Sequence, residues 1–593
     1  MVASKNSIAG APAKASRSLA LILAATASLA AQAQHPAPLP HLAKVGAVTQ
    51  LIVDGSPLIL LAGELHNSSP SSPAYMRPIW DRLEAMHLNA VIGAASWELV
   101  EPQEGHFDFT AVDDEVRQAH AHHMHLVLIW FGSFKNASYT YTPMWVKRDP
   151  RRFPLAQTEP RAPGAALRTA NTLSVFGSAS ERADAHAFAA LMAHLRNTDS
   201  FHTVVMIQVE NETGLRGDSR DRSPLAEAAY NAPVPQELLS WMNSHRDTML
   251  PELRAVWTAA GARTQGTWPE VFGANPVGDE AFMAWYTARY INTVAEAGSR
   301  KLPLPMYVNA WIVQYPGQIP GGYPSGGPVS RMMDIWKLAG PRLALQAPDI
   351  YLGDYEGVCA SYTRDENTLF VPEAGPSVAK LFVTIAKFNG IGYSPFGIDG
   401  IEDDTLSSAY ETLGSLMGPL TTAIAKGEVQ LIPAAAGGEV DLDLGEFTLH
   451  IERGAHGNPP RPKNFERENA QSLPPAPGEA VQSSSRVPAV ANTVAKGNGY
   501  LRPFDDGRVA TGMIIPNGPD SFYLIGEGLA LSVSSRRPDR VAHLGMVDEG
   551  RLENGHWLPG RRLNGDETFG ASRILLAPDV VKAVSVTLYS VPQ

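Results

Sequence analysis

Two glutamates are the residues whose type and placement could do chemistry. The run Thr203-Val204-Val205-Met206-Ile207-Gln208-Val209 is the strongest strand signal in the chain, and it leads straight into Glu210-Asn211-Glu212. A second apolar run, Leu369-Phe370-Val371, leads into Pro372-Glu373-Ala374-Gly375. A carboxyl group at the end of each of two strands can divide one reaction between them. One acid gives a proton to a leaving oxygen, and the other attacks or stabilises the carbon left behind, which is the division of labour in glycoside hydrolysis. Glu356, Asp399 and Glu402 are the acids that compete with Glu373 for the second role. Glu210 lies two residues before Glu212, so period-two alternation puts it on the same inward face, where a bracing hydrogen bond is the expected role.

The elements that must position this pair are readable from Leu51 to Gly418. Six further runs join the two above: Leu58–Gly63, Leu88–Ile92, Leu126–Trp130, Met306–Asn309, Asp349–Leu352 and Ile391–Ser394. All are short and continuously apolar, as strands buried on both faces should be, and helical stretches lie between most of them. Eight βα units predict an α/β fold, a (β/α)8 TIM barrel with insertions, whose catalytic groups sit at the C-terminal ends of the strands. A doubly wound sheet is the alternative, weakened because no glycine-rich phosphate fingerprint follows the first run. After Gly427 the texture changes to strands: Val429–Ile432, Phe447–Ile451, Phe522–Ile525, Leu529–Val533 and Ala583–Leu588. This predicts a smaller C-terminal β-sandwich-like domain over 426–593, behind a catalytic domain over 34–425. A Pro-, Gly-, Ser- and Asn-rich stretch over about 454–490 is expected to be a long mobile loop.

The motifs resemble a known group of enzymes. Asn211-Glu212 ending the fourth run, with a glutamate ending the seventh, resembles the large clan of retaining TIM-barrel glycosidases. Gly63-Glu64-Leu65-His66, the stretch Asn89 to Trp97, Glu101-Pro102-Gln103-Glu104-Gly105-His106-Phe107-Asp108-Phe109 and Gln208-Val209-Glu210-Asn211-Glu212-Thr213-Gly214 narrow it to family 35 glycoside hydrolases, the β-galactosidases. Trp557 and Gly560-Arg561-Arg562-Leu563-Asn564-Gly565-Asp566 are similar to the accessory domain of a bacterial branch of that family. The resemblance implies Glu212 as general acid/base, Glu373 as nucleophile and Asn211 as a ligand of the sugar 2-hydroxyl, with no metal and no organic cofactor. It implies a terminal β-D-galactoside as substrate, on a fragment such as a xyloglucan side chain. Two departures fall at the sugar: the family's strand-two tyrosine is replaced near Ala94, and its Asn-Ala-Glu after strand three is absent. There the chain reads Trp130-Phe131-Gly132-Ser133-Phe134-Lys135-Asn136, so Lys135 and Asn136 are expected to take over hydroxyl contacts.

Other strand-end residues extend the candidate site. Glu64 and His66 end the first run, Asn309 and Trp311 the fifth, and Tyr393 lies in the eighth; sugar contact and structural bonding compete at each. Trp311 offers a stacking surface, with core packing as the alternative. His120, His122, His123 and His125 precede the third run, on the side away from the expected mouth, and are read as a solvated helix end rather than a metal site. Ser133 and Ser394 lack the Gly-x-Ser-x-Gly surroundings of a serine hydrolase.

Composition bounds the rest. The chain has 593 residues, 44% of them hydrophobic, and a net charge of −12. That allows a large core and argues against a nucleic-acid partner, which would need a basic surface. Lys5, Lys14 and Arg17, the apolar run Leu19 to Ala31 and Ala31-Gln32-Ala33 have the order of a cleaved signal peptide over 1–33. Cys359 is the sole cysteine, so no intrachain disulfide can form; export without disulfides suits a bacterial periplasm or outer surface. The expected partner is a carbohydrate, with no membrane insertion; a homo-oligomer is compatible. Alternative readings are β-glucosidase, β-fucosidase or arabinosidase specificity on the same site, or a non-catalytic carbohydrate-binding protein.

Overall fold

A computed structural model of the chain describes residues 38–162, 164–454, 509–553 and 555–593. The expected signal peptide lies outside the described residues, as does the expected loop at 454–490 apart from Gly454. Eight parallel strands close into a barrel: β1 (Leu60–Glu64), β2 (Ala90–Ser96), β3 (His125–Lys135), β4 (Val204–Asn211), β5 (Met306–Trp311), β6 (Leu345–Ile350), β7 (Val371–Ala374) and β8 (Gly392–Pro395). Each pairs with its sequence neighbour and β8 pairs with β1. The fold is the expected TIM barrel, and each of the eight apolar runs overlaps one of its strands.

Burial on both faces explains why the runs are continuous. In β3, Val127, Ile129 and Phe131 fill the barrel with Leu60, Ala62, Ile92 and Tyr307. The alternate residues Leu126, Leu128 and Trp130 pack outward against the surrounding helices. The sixth run is shifted: the strand is Leu345–Ile350 rather than Asp349–Leu352. Gln346 and Pro348 interrupt the apolar pattern, although every residue of that strand is buried. An antiparallel sheet of His41–Val45, Val48–Val53 and Ser56–Leu58 precedes the barrel, and its Leu51 and Val53 join the barrel's interior core.

Beyond the helix Met417–Lys426 the chain is antiparallel. A six-stranded sheet runs in the order Gln430–Ala435, Ala510–Gly518, Ser521–Glu527, Lys582–Pro592, Arg540–Glu553, His556–Leu563. A four-stranded sheet follows the order Gly438–Leu444, Phe447–Arg453, Leu529–Ser535, Ile574–Leu576. The larger sheet is apolar on both faces along Ala510–Gly518 and Ser521–Glu527. Ile514, Phe522 and Leu524 pack toward the smaller sheet, whereas Met513, Tyr523 and Ile525 join the core of the barrel and its helices. Two hydrogen bonds fasten this contact, Val581 N to Ser408 Oγ at 2.9 Å and Thr412 Oγ1 to the Val581 carbonyl at 3.3 Å. Among the described residues no helix is long and apolar enough to cross a membrane.

One buried acid lies in the wall of the barrel rather than at its mouth. Glu115, on the helix Thr110–Ala121, is 3% exposed and neither carboxyl oxygen has a hydrogen-bond partner. A Cβ at Gly93 of β2 would fall 1.5 Å from Glu115 Oε1, so a side chain at 93 would collide with it. Burial pushes the Glu115 pKa up to about 8. The folded protein therefore holds a proton that the unfolded chain releases, and stability should fall as pH rises from the ordinary carboxyl range through about 8. Glu115→Gln should flatten that decline and raise the denaturation midpoint at alkaline pH. Urea melts of both proteins across this pH range check it, and parallel pH dependences would contradict it.

Candidate active site

The C-terminal mouth of the barrel collects charged groups from five strands. Glu64 ends β1, Lys135 ends β3, Glu212 follows β4, Asp349 lies in β6 and Glu373 in β7, and all five are buried. Oxygens of Glu212, Asp349 and Glu373 lie within 4.8 Å of one another. Among the described residues this is the set of acids close enough to share a cation, but amide and phenol donors already fill much of their hydrogen-bonding capacity.

Those donors form one connected network. Glu373 Oε1 accepts from Asn211 Nδ2 at 3.1 Å and Asn309 Nδ2 at 3.2 Å, and Oε2 accepts from the Tyr351 hydroxyl at 2.8 Å. Asn309 Nδ2 also donates to Asp349 Oδ2 at 2.8 Å, while its Oδ1 accepts from the Glu212 backbone N–H at 2.9 Å. Lys135 Nζ donates to Asn211 Oδ1 at 3.0 Å, which leaves the Asn211 amide aimed at Glu373. Asn136 Nδ2 donates to Glu212 Oε2 at 2.6 Å.

The backbone at the ends of β3 and β4 is bent to make this possible. Asn136, Ala137, Glu210 and Glu212 all have positive φ, between 45° and 64°. Left-handed backbone in a residue with a Cβ costs about 1–2 kcal/mol. The two strand ends hold each other there: Asn136 N–H donates to the Asn211 carbonyl at 3.2 Å and Ala137 N–H to the Glu212 carbonyl at 3.0 Å. The pairing of β3 with β4 shifts register between Trp130 and Lys135.

This bend corrects the expectation for Glu210, whose side chain does not share the inward face. It accepts from the Ser133 and Phe134 backbone N–H groups at 3.0 and 2.7 Å and shares the Ser133 N–H with Asp184 on the surrounding helix Ser178–Thr198. Its bracing role stands, on the outer side of the strand. Tyr393 is a second correction. It is fully buried among the helices around the barrel, and its hydroxyl donates to the Gly375 carbonyl, so it offers no surface to a sugar. Among the competing acids, Asp399 accepts from His66 N–H and Ser69 Oγ, Glu356 pairs with Lys387, and Glu402 is exposed. None of the three joins the carboxyl cluster.

The other expected residues fall as follows. Glu64 is buried with both oxygens unpartnered, beside Glu373, Lys135 and Glu212. His66 is held by Asp399 through Nδ1 at 2.9 Å, with its side chain 53% exposed. Trp311 carries the Arg216 guanidinium over its ring at 4.5 Å, so one face of the indole is occupied. His120 stacks on Phe201, and His122 bonds to Glu84, at the helix end before β3 as expected. Cys359 is buried, which pushes its thiol up to about 12. Asp349 and Tyr351 stand at the end of β6, as Glu212 and Glu373 stand at the ends of β4 and β7, and reading that strand as Leu345–Ile350 rather than Asp349–Leu352 is what puts them at the mouth.

Burial, and then the neighbouring Glu373 charge, push the Glu212 pKa up to about 8, against the opposing pull of Lys135. Glu64 and Asp349 are also raised, first by burial and then by Glu373. The cluster therefore keeps protons at neutral pH, and Glu212 is an acid able to give one away. Replacing Lys135 with methionine removes the charge that holds Glu212 down. Lys135→Met should raise the Glu212 pKa above about 8, read from the 13C shift of its labelled carboxyl during a pH titration. An unchanged midpoint would show that Lys135 does not act on Glu212.

Comparison with known proteins adds likenesses over parts of the chain. Residues 406–573 match a family model described as a domain of unknown function, DUF5597. A β-galactosidase of Xanthomonas manihotis is 35% identical over 111 residues, which are 18% of this chain and 18% of that protein. The chain thus matches less than a fifth of that relative's length. Similar solved structures include the catalytic domain of a β-amylase from Paenibacillus polymyxa, at 13% identity and TM-score 0.41 over 62% of this chain and 98% of that one. A β-galactosidase from Bacillus circulans sp. alkalophilus follows at 13% identity and TM-score 0.38, over 57% and 50%. Family 35, which the motifs resemble, is not singled out. Residues 73–283, the stretch that carries β2 to β4 and Glu212, match the glycoside hydrolase family 42 model, described as β-galactosidase.

Proposed function

We propose that the protein is a retaining glycoside hydrolase that removes terminal β-D-galactose, with Glu212 as general acid/base and Glu373 as nucleophile. The observation that carries this reading is the spacing of two buried glutamates at the mouth of a barrel, with oxygens within 4.8 Å. Retention goes with carboxyl groups about 5 Å apart, whereas inversion needs about 6.5–9.5 Å to admit a water. The unequal surroundings of the pair fit unequal roles. Three donors converge on Glu373, which suits an acceptor, while Glu212 holds its proton to about pH 8.

In this mechanism the Glu373 carboxylate attacks the anomeric carbon as the Glu212 proton passes to the glycosidic oxygen. The bond from the anomeric carbon to the leaving oxygen breaks, and a glycosyl ester forms on Glu373. That ester cancels the charge that had favoured protonated Glu212, so Glu212, now ionised, takes a proton from water. The water oxygen attacks the anomeric carbon and releases Glu373 and a sugar of the original configuration. Asn211, aimed at Glu373 by Lys135, is placed to hold the 2-hydroxyl, and the unpartnered Glu64 carboxyl is an acceptor for another hydroxyl.

The natural substrate we propose is a galactosylated plant polysaccharide fragment such as a xyloglucan side chain, supported by the resemblance to the bacterial family 35 branch. Export to the periplasm or beyond is proposed on the ordering of the N-terminal 1–33 segment. A panel of aryl β-glycosides separates galactose from glucose, fucose and arabinose specificity, and no turnover of any of them would sink the enzyme reading. Glu373→Gln should abolish turnover. Glu212→Gln should spare substrates with good leaving groups and be rescued by azide as a β-glycosyl azide. An α-azide product would show that the roles, or the retaining mechanism, are wrong.

A further inference from the structure

Asp349 has no assigned part in this chemistry, yet it lies between the two glutamates. Its carboxyl is 3% exposed and lies within 4.8 Å of both. Oδ2 accepts from Asn309 Nδ2 at 2.8 Å. No N–H or hydroxyl donor among the described residues reaches Oδ1. A Glu212 carboxyl oxygen lies within 4.8 Å of an Asp349 oxygen. Two buried carboxyl groups this close repel unless one of them keeps a proton. One oxygen of Asp349 is already an acceptor and the other has no donor, so the vacant oxygen is the place for that proton.

We propose that Asp349 is a positioning residue held as a neutral acid, whose Oδ1–H donates to Glu212 and orients the acid/base for both of its proton transfers. The proposal rests on the reading of Glu212 as acid/base. The proton on Asp349 stays where it is throughout. When Glu212 gives its proton to the leaving oxygen, the Asp349 hydroxyl already faces the carboxylate that forms, and it remains there while that carboxylate takes a proton from water. Asp349 acts through Glu212 and not on the sugar.

The surroundings favour the neutral form. Glu212 faces Asp349 from the end of β4, Glu373 from β7 and Glu64 from β1. Tyr307 on β5, Tyr351 just past β6 and Tyr362 on the helix Tyr355–Tyr362 complete the titratable neighbours. Lys135 and Arg216 lower the Glu212 pKa. A buried acid among three carboxyl groups and three phenols keeps its proton.

The neutral form has a close mimic. In Asp349→Asn the amide oxygen can accept from Asn309 and the amide N–H₂ can donate to Glu212, as the protonated acid does. Asp349→Asn should therefore keep kcat on an aryl β-galactoside within about tenfold of the parent, with the alkaline limb of its pH profile unmoved. Asp349→Ala removes the donor. It should lower kcat about 10- to 100-fold, the loss expected for one hydrogen bond to a charged group, and move the alkaline limb to higher pH. Infrared difference spectra of the parent minus Asp349→Asn, near neutral pH, should show one protonated-carboxyl C=O band that the variant lacks.

The proposal is overturned if a folded Asp349→Asn is as inactive as Asp349→Ala, if Asp349→Ala leaves the pH profile unmoved, or if no protonated-carboxyl band disappears. The infrared measurement needs no turnover. A parent protein that shows the band but cleaves no glycoside would refute the glycosidase reading while upholding the proton on Asp349.

Discussion

Four carboxyl groups and one lysine share the dry mouth of the barrel, and the rest of the site follows from that imbalance. Glu64, Glu212, Asp349 and Glu373 cannot all be ionised beside the single Lys135, because isolated buried charges cost several kcal/mol each. The molecule resolves this by giving donors to one acid and protons to others. Glu373 receives two amides and a phenol, whereas burial and the Glu373 charge raise the pKa of Glu212 and Asp349 beside it. Two acids of the same type thereby become chemically unequal.

The barrel makes such a cluster tolerable. Its strands are satisfied along their length by neighbours on both sides, so the polar groups at their ends are carried on a rigid frame. Asn309 shows how far one side chain can serve that frame. It touches the Glu212 backbone, Asp349 and Glu373 at once, and so ties β4, β6 and β7 together through β5. The left-handed residues at the ends of β3 and β4 are a local cost of the same arrangement, offset by the hydrogen bonds that each strand end makes to the other.

The C-terminal sheets stand apart from this chemistry but not from the core. The six-stranded sheet presents one apolar face to the helices around the barrel and the other to the four-stranded sheet. That makes it the middle layer of a three-layer stack, and it explains why its strands Ala510–Gly518 and Ser521–Glu527 carry continuous buried runs, as the barrel strands do.

The sequence by itself determined the eight apolar runs, the barrel they build, and the two glutamates at the ends of the fourth and seventh. These were legible because strands buried on both faces need uninterrupted apolar residues, and because a barrel puts the ends of all its strands at one mouth. Side-chain direction was not legible. Period-two alternation turns Glu210 inward, but left-handed backbone at Glu210 and Glu212 turns it out to Asp184 instead. Tyr393 sits in a barrel strand and yet packs outward, because alternation aims that position at the helices. The place of Asp349 at the end of its strand was hidden by Gln346 and Pro348, which break the apolar pattern of a strand whose burial depends on neighbours far away in the chain. Which acid keeps its proton was decided by the tertiary structure alone, since it depends on distances between strand ends that no local pattern encodes.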